Sequence, residues 1–199
     1  MNIKRGMFLA FCVATGAIAS SASSWAADGT QATPVVISGS AAAWTYRCVF
    51  PADNLSQGPQ VCLAQQALTV QGDKGKTEAL GAVILARATE NVTTTPLTRR
   101  PWRLTVMVPL TLSLKTDVRV VLDDNPPIKL SWQSCATAGC MASLDLSADQ
   151  VTRLRVGKTG HIIADKVGGG TLTINFALDG SNAALHQLDS WIQKSPFRQ

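Results

Sequence analysis

The sequence predicts a mainly β protein: an antiparallel β-sandwich with one or two short helices and two disulfides. Apolar and polar residues alternate with a period of two in several segments, which is typical of strands with one buried face. Turn-forming clusters such as Asp123-Asp124-Asn125-Pro126-Pro127 separate these segments, which favours an antiparallel fold over alternating strand–helix units. An even number of cysteines follows a predicted export signal, which indicates disulfides.

The first 26 residues have the order of a secretory signal peptide. Lys4-Arg5 is positively charged, residues 6–19 are largely apolar, and small residues lead to a predicted cleavage site after Ala26 or Ala27. The apolar stretch is shorter than the roughly 20 residues that span a bilayer. We therefore predict a signal peptide over 1–26 and an exported protein in the periplasm, associated with the outer membrane, or secreted. No transmembrane segment is expected in the mature chain, which is compatible with peripheral membrane contact.

Charge and composition limit the classes of partner. The chain has 199 residues, 46% of them hydrophobic, which excludes a wholly disordered protein. It has 18 basic and 13 acidic residues, a net charge of +5, and two of the basic residues lie in the predicted signal peptide. The remaining 16 basic and 13 acidic residues leave a net charge of +3. So small an excess does not indicate nucleic-acid binding.

The chain after the predicted signal peptide is expected to consist of a lead-in segment and one domain. Residues 27–42 are rich in Ala, Ser, Thr and Gly, which predicts a flexible lead-in. Its apolar cluster Val35-Val36-Ile37 is a candidate edge strand. Residues 43–194 are predicted to form a single β-sandwich domain.

The cysteines are predicted to be structural. Cys12 lies in the signal peptide, which leaves Cys48, Cys62, Cys135 and Cys140. Four cysteines allow three pairings; the spacing favours Cys48–Cys62 and Cys135–Cys140, because each pair closes a short, turn-rich loop. A redox site would need Cys-x-x-Cys, and a zinc site would need close pairs with histidine. Neither pattern is present, so we expect no metal and no cofactor.

Four segments read as strands. Residues 104–112 and 171–178 alternate strictly, and Pro109 predicts an edge strand or a bulge in the first of them. Residues 118–122 and 128–132 flank a turn and predict a hairpin. The apolar run 82–86 is consistent with a further strand that is covered on both faces.

Two segments read as helices. Ser147 and Gln150 form a capping box, and the helix that they begin is expected to end near Gly157. A C-terminal helix is predicted to be capped by Asp179 or Ser181, with its apolar face packed on the sheet.

Taken together, these features resemble the invasion-associated locus B family of exported proteins from Gram-negative bacteria, over residues 44–192. The cysteine contexts are the specific part of the resemblance. The matching segments are Trp44-Thr45-Tyr46-Arg47-Cys48, Cys62-Leu63-Ala64-Gln65-Gln66, Val108-Pro109-Leu110, Cys135 with Gly139-Cys140-Met141-Ala142, and Leu178-Asp179-Gly180 with Ala183-Ala184-Leu185 and Leu188.

The resemblance implies an exported β protein and, for the family, a role in the invasion of host cells. It transfers no catalytic residues. The residues themselves agree, because no Gly-x-Ser-x-Gly frames a serine. Gly157-Lys158-Thr159 lacks the first glycine of a phosphate loop, and Asp123-Asp124 reads as a turn rather than a calcium site. We predict no enzyme; the alternative, an exported hydrolase, requires His161 or His186 beside a serine and an acid.

One cluster combines basic and aromatic side chains. It comprises Arg99, Arg100, Trp102 and Arg103 and is a candidate for contact with an envelope or host protein or lipid. The leading hypothesis is a non-enzymatic envelope protein that binds such a partner through these residues. A purely structural periplasmic factor is the remaining alternative.

Overall fold

The structure, a computed structural model, describes residues 33–71, 76–87 and 95–197. The predicted signal peptide lies outside the described residues. Within these ranges, two short 3₁₀ helices, Leu55–Gln57 and Leu97–Arg99, accompany the α-helices α1 (Ala148–Val156) and α2 (Ser181–Gln193). The strands are β1 (Val35–Ala41), β2 (Trp44–Phe50), β3 (Val61–Gln71), β4 (Thr77–Arg87), β5 (Trp102–Val108), β6 (Val118–Leu122), β7 (Ile128–Ala136), β8 (Gly139–Asp145), β9 (Thr159–Asp165) and β10 (Thr171–Ala177).

All neighbouring strands pair antiparallel, in the order β1-β2-β3-β4-β5-β8-β7-β6-β9-β10. Strand β7 joins the two halves of this series. Its first residues pair with β6, as in Val118 opposite Leu130, and the rest pairs with β8, with a register shift between Trp132 and Ser134. The predicted mainly β, antiparallel fold with two helices is confirmed.

One core lies under all of these strands. Alternate residues of β5 are buried, and so are those of β6 and β9 from the far half of the series. Together with the apolar face of α2 they form a single apolar cluster. Because strand side chains alternate between faces, a single cluster requires the series of strands to curl so that the same face points inward throughout.

Side chains of β2 and β3, near one end of the series, reach the other end at Ala177, the last residue of β10. The Gln66 amide of β3 donates to the Ala177 carbonyl at 3.1 Å, and its oxygen accepts the Ala177 N–H at 2.9 Å. The Trp44 indole N–H of β2 donates to the same carbonyl at 3.0 Å. The buried Gln66 side chain thus takes the place that a neighbouring strand would occupy beside β10.

The predicted hairpin is present as β6 and β7, but Pro109 has a different effect from the one expected. Strand β5 lies inside the sheet, between β4 and β8, and it ends at Val108. The expectation of an edge strand or bulge at Pro109 is therefore wrong. Because proline has no N–H for the ladder, the strand stops before it, and Leu112 forms an isolated bridge with Lys166.

Both predicted disulfides are present and each joins two neighbouring strands. Cys48 of β2 lies directly opposite Cys62 of β3, and their sulfurs are bonded. Cys135 of β7 lies opposite Cys140 of β8 at the other end of the sheet and is bonded to it. The pairing that the spacing favoured is confirmed.

Helix α1 has the predicted capping box. The Gln150 N–H donates to the Ser147 hydroxyl at 3.2 Å, and the Ser147 N–H donates to the Gln150 side chain at 2.9 Å. Gly157 ends the helix, as predicted.

Helix α2 is capped differently from the prediction, which is wrong on this point. Its N-cap is Gly180, in the left-handed conformation with φ 85° and no side-chain cap. A Cβ at Gly180 would lie 2.1 Å from the Ala41 carbonyl oxygen, so the turn after β1 leaves no space for a side chain. Ser181 is buried instead, and its hydroxyl donates to the Leu154 carbonyl of α1 at 2.6 Å.

We expect Gln66→Ala to lower the free energy of unfolding by about 2 kcal/mol, because it leaves the partly buried Ala177 N–H without its acceptor. Urea denaturation measures this change. Gln65→Ala is the matched control: the same residue type at the next position of β3, on the other face, where a change within about 0.5 kcal/mol is expected. Equal losses in the two variants would show that the closing contact at Ala177 is not stabilising.

The disulfides should differ in their contribution. The cysteines of the first are 14 residues apart and those of the second 5. Chain entropy then predicts losses of about 3 kcal/mol for the Cys48→Ala/Cys62→Ala variant and about 2 kcal/mol for Cys135→Ala/Cys140→Ala. Urea denaturation of both variants tests the order, and a larger loss for the second pair would contradict it.

Candidate partner-binding groove

The structure separates one residue, Arg103, from the other three of the predicted basic-aromatic cluster. Arg99 is exposed on the 3₁₀ helix Leu97–Arg99. Arg100 is only 7% exposed and Trp102 only 5%, and the Arg100 Nε donates to the Thr95 carbonyl at 2.8 Å. Arg103 follows Trp102 in β5, so its side chain points to the opposite face, where its Nε lies 2.6 Å from Asp145.

A groove of about 390 Å³ brings three members of the cluster together and leaves Arg103 out. The start of β5, the 3₁₀ helix before it and α1 form this groove. We call it the arginine groove, since its charged lining residues are Arg87, Arg99 and Arg100. Trp102 and Val151 of α1 add apolar surface. Among the lining residues that the structure describes, none is acidic.

Arg87 is the member that sequence reasoning missed. It ends β4 and lies directly opposite Trp102 in the β4–β5 register. Its guanidinium carbon is 4.4 Å from the centroid of the Trp102 ring, in cation–π contact. Its Nη1 also donates to the Arg100 carbonyl at 2.8 Å. Fifteen positions separate Arg87 from Trp102 in the sequence, so only the strand register reveals that they are neighbours.

Helix α2 positions Arg87 from the other side. Its Asp189 carboxylate forms an ion pair with Arg87 and accepts a second hydrogen bond from Arg155 of α1 at 2.6 Å. One carboxylate is therefore shared by two guanidinium groups, which hold it in charge-assisted hydrogen bonds. The contact orients Arg87 without cancelling the positive charge at this end of the molecule.

The histidines do not form the arrangement that a hydrolase would need. The His161 Nδ1 lies 2.8 Å from the Asn175 side-chain oxygen on the neighbouring strand. His186 is exposed on α2. Across residues 33–71, 76–87 and 95–197, neither histidine has a hydrogen bond to a serine hydroxyl or a carboxylate. The hydrolase alternative therefore has no observation in its favour.

Gly157-Lys158-Thr159 binds a carboxylate of its own chain. The Thr159 and Lys158 N–H groups donate to the Asp123 carboxylate at 2.9 and 3.1 Å. These two bonds, the one from Thr159 first, hold the pKa of Asp123 below its ordinary value. Asp123 has a positive φ of 47°, which turns the chain after β6 and aims the carboxylate at these N–H groups. The segment therefore closes a turn.

The fold and the groove define a class of protein: a disulfide-linked antiparallel β protein with a cationic surface groove. The chain belongs to the family described as invasion associated locus B (IalB) protein, which matches residues 44–189. The resemblance predicted from the cysteine contexts is thus confirmed. None of the helices in the described part of the chain is long and apolar enough to cross a membrane.

A solved structure shares the fold. The crystal structure of invasion associated protein B from Bartonella henselae aligns with a TM-score of 0.61 and 18% sequence identity. The alignment covers 79% of this chain and 99% of that one. No individually curated protein matches the chain at a significant level.

The hydrogen bonds to Asp123 predict a pH dependence. A carboxylate with a lowered pKa in the folded state stabilises the fold above its unfolded pKa of about 3.9, and this contribution is lost as the pH falls through the folded value. Asp123→Asn keeps the shape, tolerates the positive φ and removes the charge. We expect wild type to be more stable than this variant at pH 6, with the difference shrinking below pH 4.

Chemical denaturation at a series of pH values measures that difference. Asp124→Asn is the control, because it removes one exposed neighbouring charge and leaves the N–H groups of Lys158 and Thr159 with their acceptor. A constant difference between wild type and Asp123→Asn from pH 6 to pH 2.5 would contradict the prediction.

Proposed function

We propose that the protein is exported and non-enzymatic, and that it binds an acidic segment of an envelope or host protein in the arginine groove. Family membership supports an invasion-associated role. Two disulfides support an oxidising compartment, because such bonds persist there and are rare in the cytosol.

The observation that carries the proposal is the lining of the groove, in which the exposed Arg99 lies with two further arginines, Arg87 and Arg100, and with Trp102. Guanidinium groups bind carboxylates through paired, parallel hydrogen bonds, and arginine is favoured where such recognition matters. The apolar surface of Trp102 and Val151 beside them favours a partner whose acidic side chains alternate with apolar ones. A volume of about 390 Å³ accommodates a few side chains, which suits a short segment of a protein.

The arginines have different roles in this proposal. Arg87 and Arg100 are largely buried and held by Asp189 and by the Thr95 carbonyl, so that little side-chain freedom is lost on binding. Arg99 is exposed on the rim, where it attracts an acidic partner during the encounter and makes the association rate salt-dependent. Arg99 is therefore the residue to change without disturbing the fold.

We expect Arg99→Glu to reduce capture of acidic partners from envelope and host-cell extracts by about tenfold, the effect of about 1.4 kcal/mol. Quantitative mass spectrometry of proteins retained by the immobilised wild type and variant measures this. Arg47→Glu is the matched control: it makes the same charge change at an exposed position of β2 outside the groove. Both variants should keep the Tm of the wild type.

Two outcomes would contradict the proposal. Equal capture of acidic proteins by the Arg99→Glu variant and the wild type would show that the groove does not bind the partner. The second outcome combines two results: no extract yields a retained protein, and the Arg99→Glu variant restores the weakened envelope of a deletion strain as fully as the wild type does. Together they would favour the purely structural role.

A further inference from the structure

The opposite end of β5 exposes apolar residues on two paired loops. Strand β5 runs from the arginine groove at Trp102 to Val108, about 20 Å at the usual rise per residue. There the chain enters loop 109–117. The loop 166–170 between β9 and β10 lies at the same end, because Leu112 forms a bridge with Lys166.

Backbone hydrogen bonds hold these two loops together. The Ser113 N–H donates to the Asp165 carbonyl at 2.8 Å, and the Val167 N–H donates to the Thr111 carbonyl at 3.3 Å. Leu112 between them is only 3% exposed and belongs to the core. The pair is therefore anchored, and the orientation of its outer side chains is set by the fold.

Three aliphatic side chains on this pair are left in solvent. Leu110 is 54% exposed, Leu114 53% and Val167 73%; we call these three residues the apolar tip. Val167 precedes Gly168-Gly169-Gly170, which all have positive φ. A Cβ on any of these glycines would meet no atom within 4 Å. The turn 168–170 beside Val167 thus projects from the surface, whereas Leu110 borders a shallow depression that Leu80 and Met107 also line.

Lysines stand directly beside the tip. Lys115 follows Leu114 and Lys166 precedes Val167, and both are exposed. Of the carboxylates in the two loops and their flanks, Asp165 is paired with Arg119 at 2.9 Å, while Asp117 is exposed. Two exposed lysines and one exposed carboxylate, Asp117, therefore flank the three apolar side chains along the chain.

We propose that the apolar tip inserts into a membrane surface that contains anionic lipids. A bilayer takes up an apolar projection such as Val167 and the glycine turn beside it, and the two exposed lysines match the charge of anionic headgroups. Leu110, Leu114 and Val167 would enter the boundary of the acyl chains, and Lys115 and Lys166 would remain at the charged headgroups. This inference goes beyond the proposed function, since it involves neither the arginine groove nor its partner.

The arrangement also orients the molecule. With the tip in the membrane, the arginine groove at the other end of β5 faces away from the lipid. The groove then remains accessible to a soluble partner while the protein is bound to the surface.

Vesicle co-sedimentation tests the tip. We expect the wild type to bind vesicles of phosphatidylethanolamine with phosphatidylglycerol, and to bind phosphatidylcholine vesicles at least tenfold more weakly. Leu110→Ser/Leu114→Ser/Val167→Ser should weaken binding to the anionic vesicles tenfold or more, because each apolar side chain contributes to the partition. Val156→Ser is the matched control, since Val156 is 75% exposed on α1, away from the tip.

Arg99→Glu distinguishes this inference from the proposed function, because it should leave vesicle binding unchanged. Lys115→Glu/Lys166→Glu should lower binding to anionic vesicles at least tenfold and make it insensitive to salt. Vesicle binding that survives the triple serine variant would overturn the proposal. The absence of wild-type binding to the anionic vesicles would overturn it as well, and dimers that the triple serine variant abolishes would then assign the tip to a second copy of the chain.

Discussion

The rest of the structure depends on the hydrogen bonds that hold the peptide group of Ala177. Ten strands in an antiparallel series leave two open edges, and a single core requires the two halves to be brought face to face. The shared apolar core drives this, and the Gln66 amide and the Trp44 indole link the two halves by satisfying the backbone at the end of β10. The chain then turns at Gly180 against the Ala41 carbonyl, and α2 begins where this contact places it.

The arginine groove follows from that placement. Because α2 is fixed at its first residue, its Asp189 reaches the Arg87 side chain at the end of β4. Arg87 in turn lies over the Trp102 ring and contacts the Arg100 carbonyl. A series of contacts thus connects β3, β10 and α2 to the guanidinium group of Arg87 on β4. The groove combines three consecutive elements, the end of β4, the 3₁₀ helix Leu97–Arg99 and the start of β5, with the more distant helix α1.

The two proposed surfaces lie at opposite ends of the sheet, and each end has a disulfide that joins neighbouring strands. Cys48–Cys62 links β2 and β3 near the end of the arginine groove, and Cys135–Cys140 links β7 and β8 near the apolar tip. Binding residues on loops work best when a rigid scaffold positions them. Here the hydrogen bonds between neighbouring strands supply the rigidity. At the apolar tip, the backbone bridge between Leu112 and Lys166 holds the two loops together in addition.

The sequence by itself determined the elements with local causes. The alternation in β5 and β10 and the Ser147–Gln150 capping box depend on neighbours within a few positions. The cysteines pair with partners 14 and 5 positions away, which is still local in the chain. Only the tertiary structure decided which side chains meet across distance. It separated Arg103 from Trp102, since adjacent strand residues face opposite ways, and it added Arg87 through register. It also replaced the expected Asp179 or Ser181 cap by Gly180, because a carbonyl from β1, distant in sequence, occupies the space.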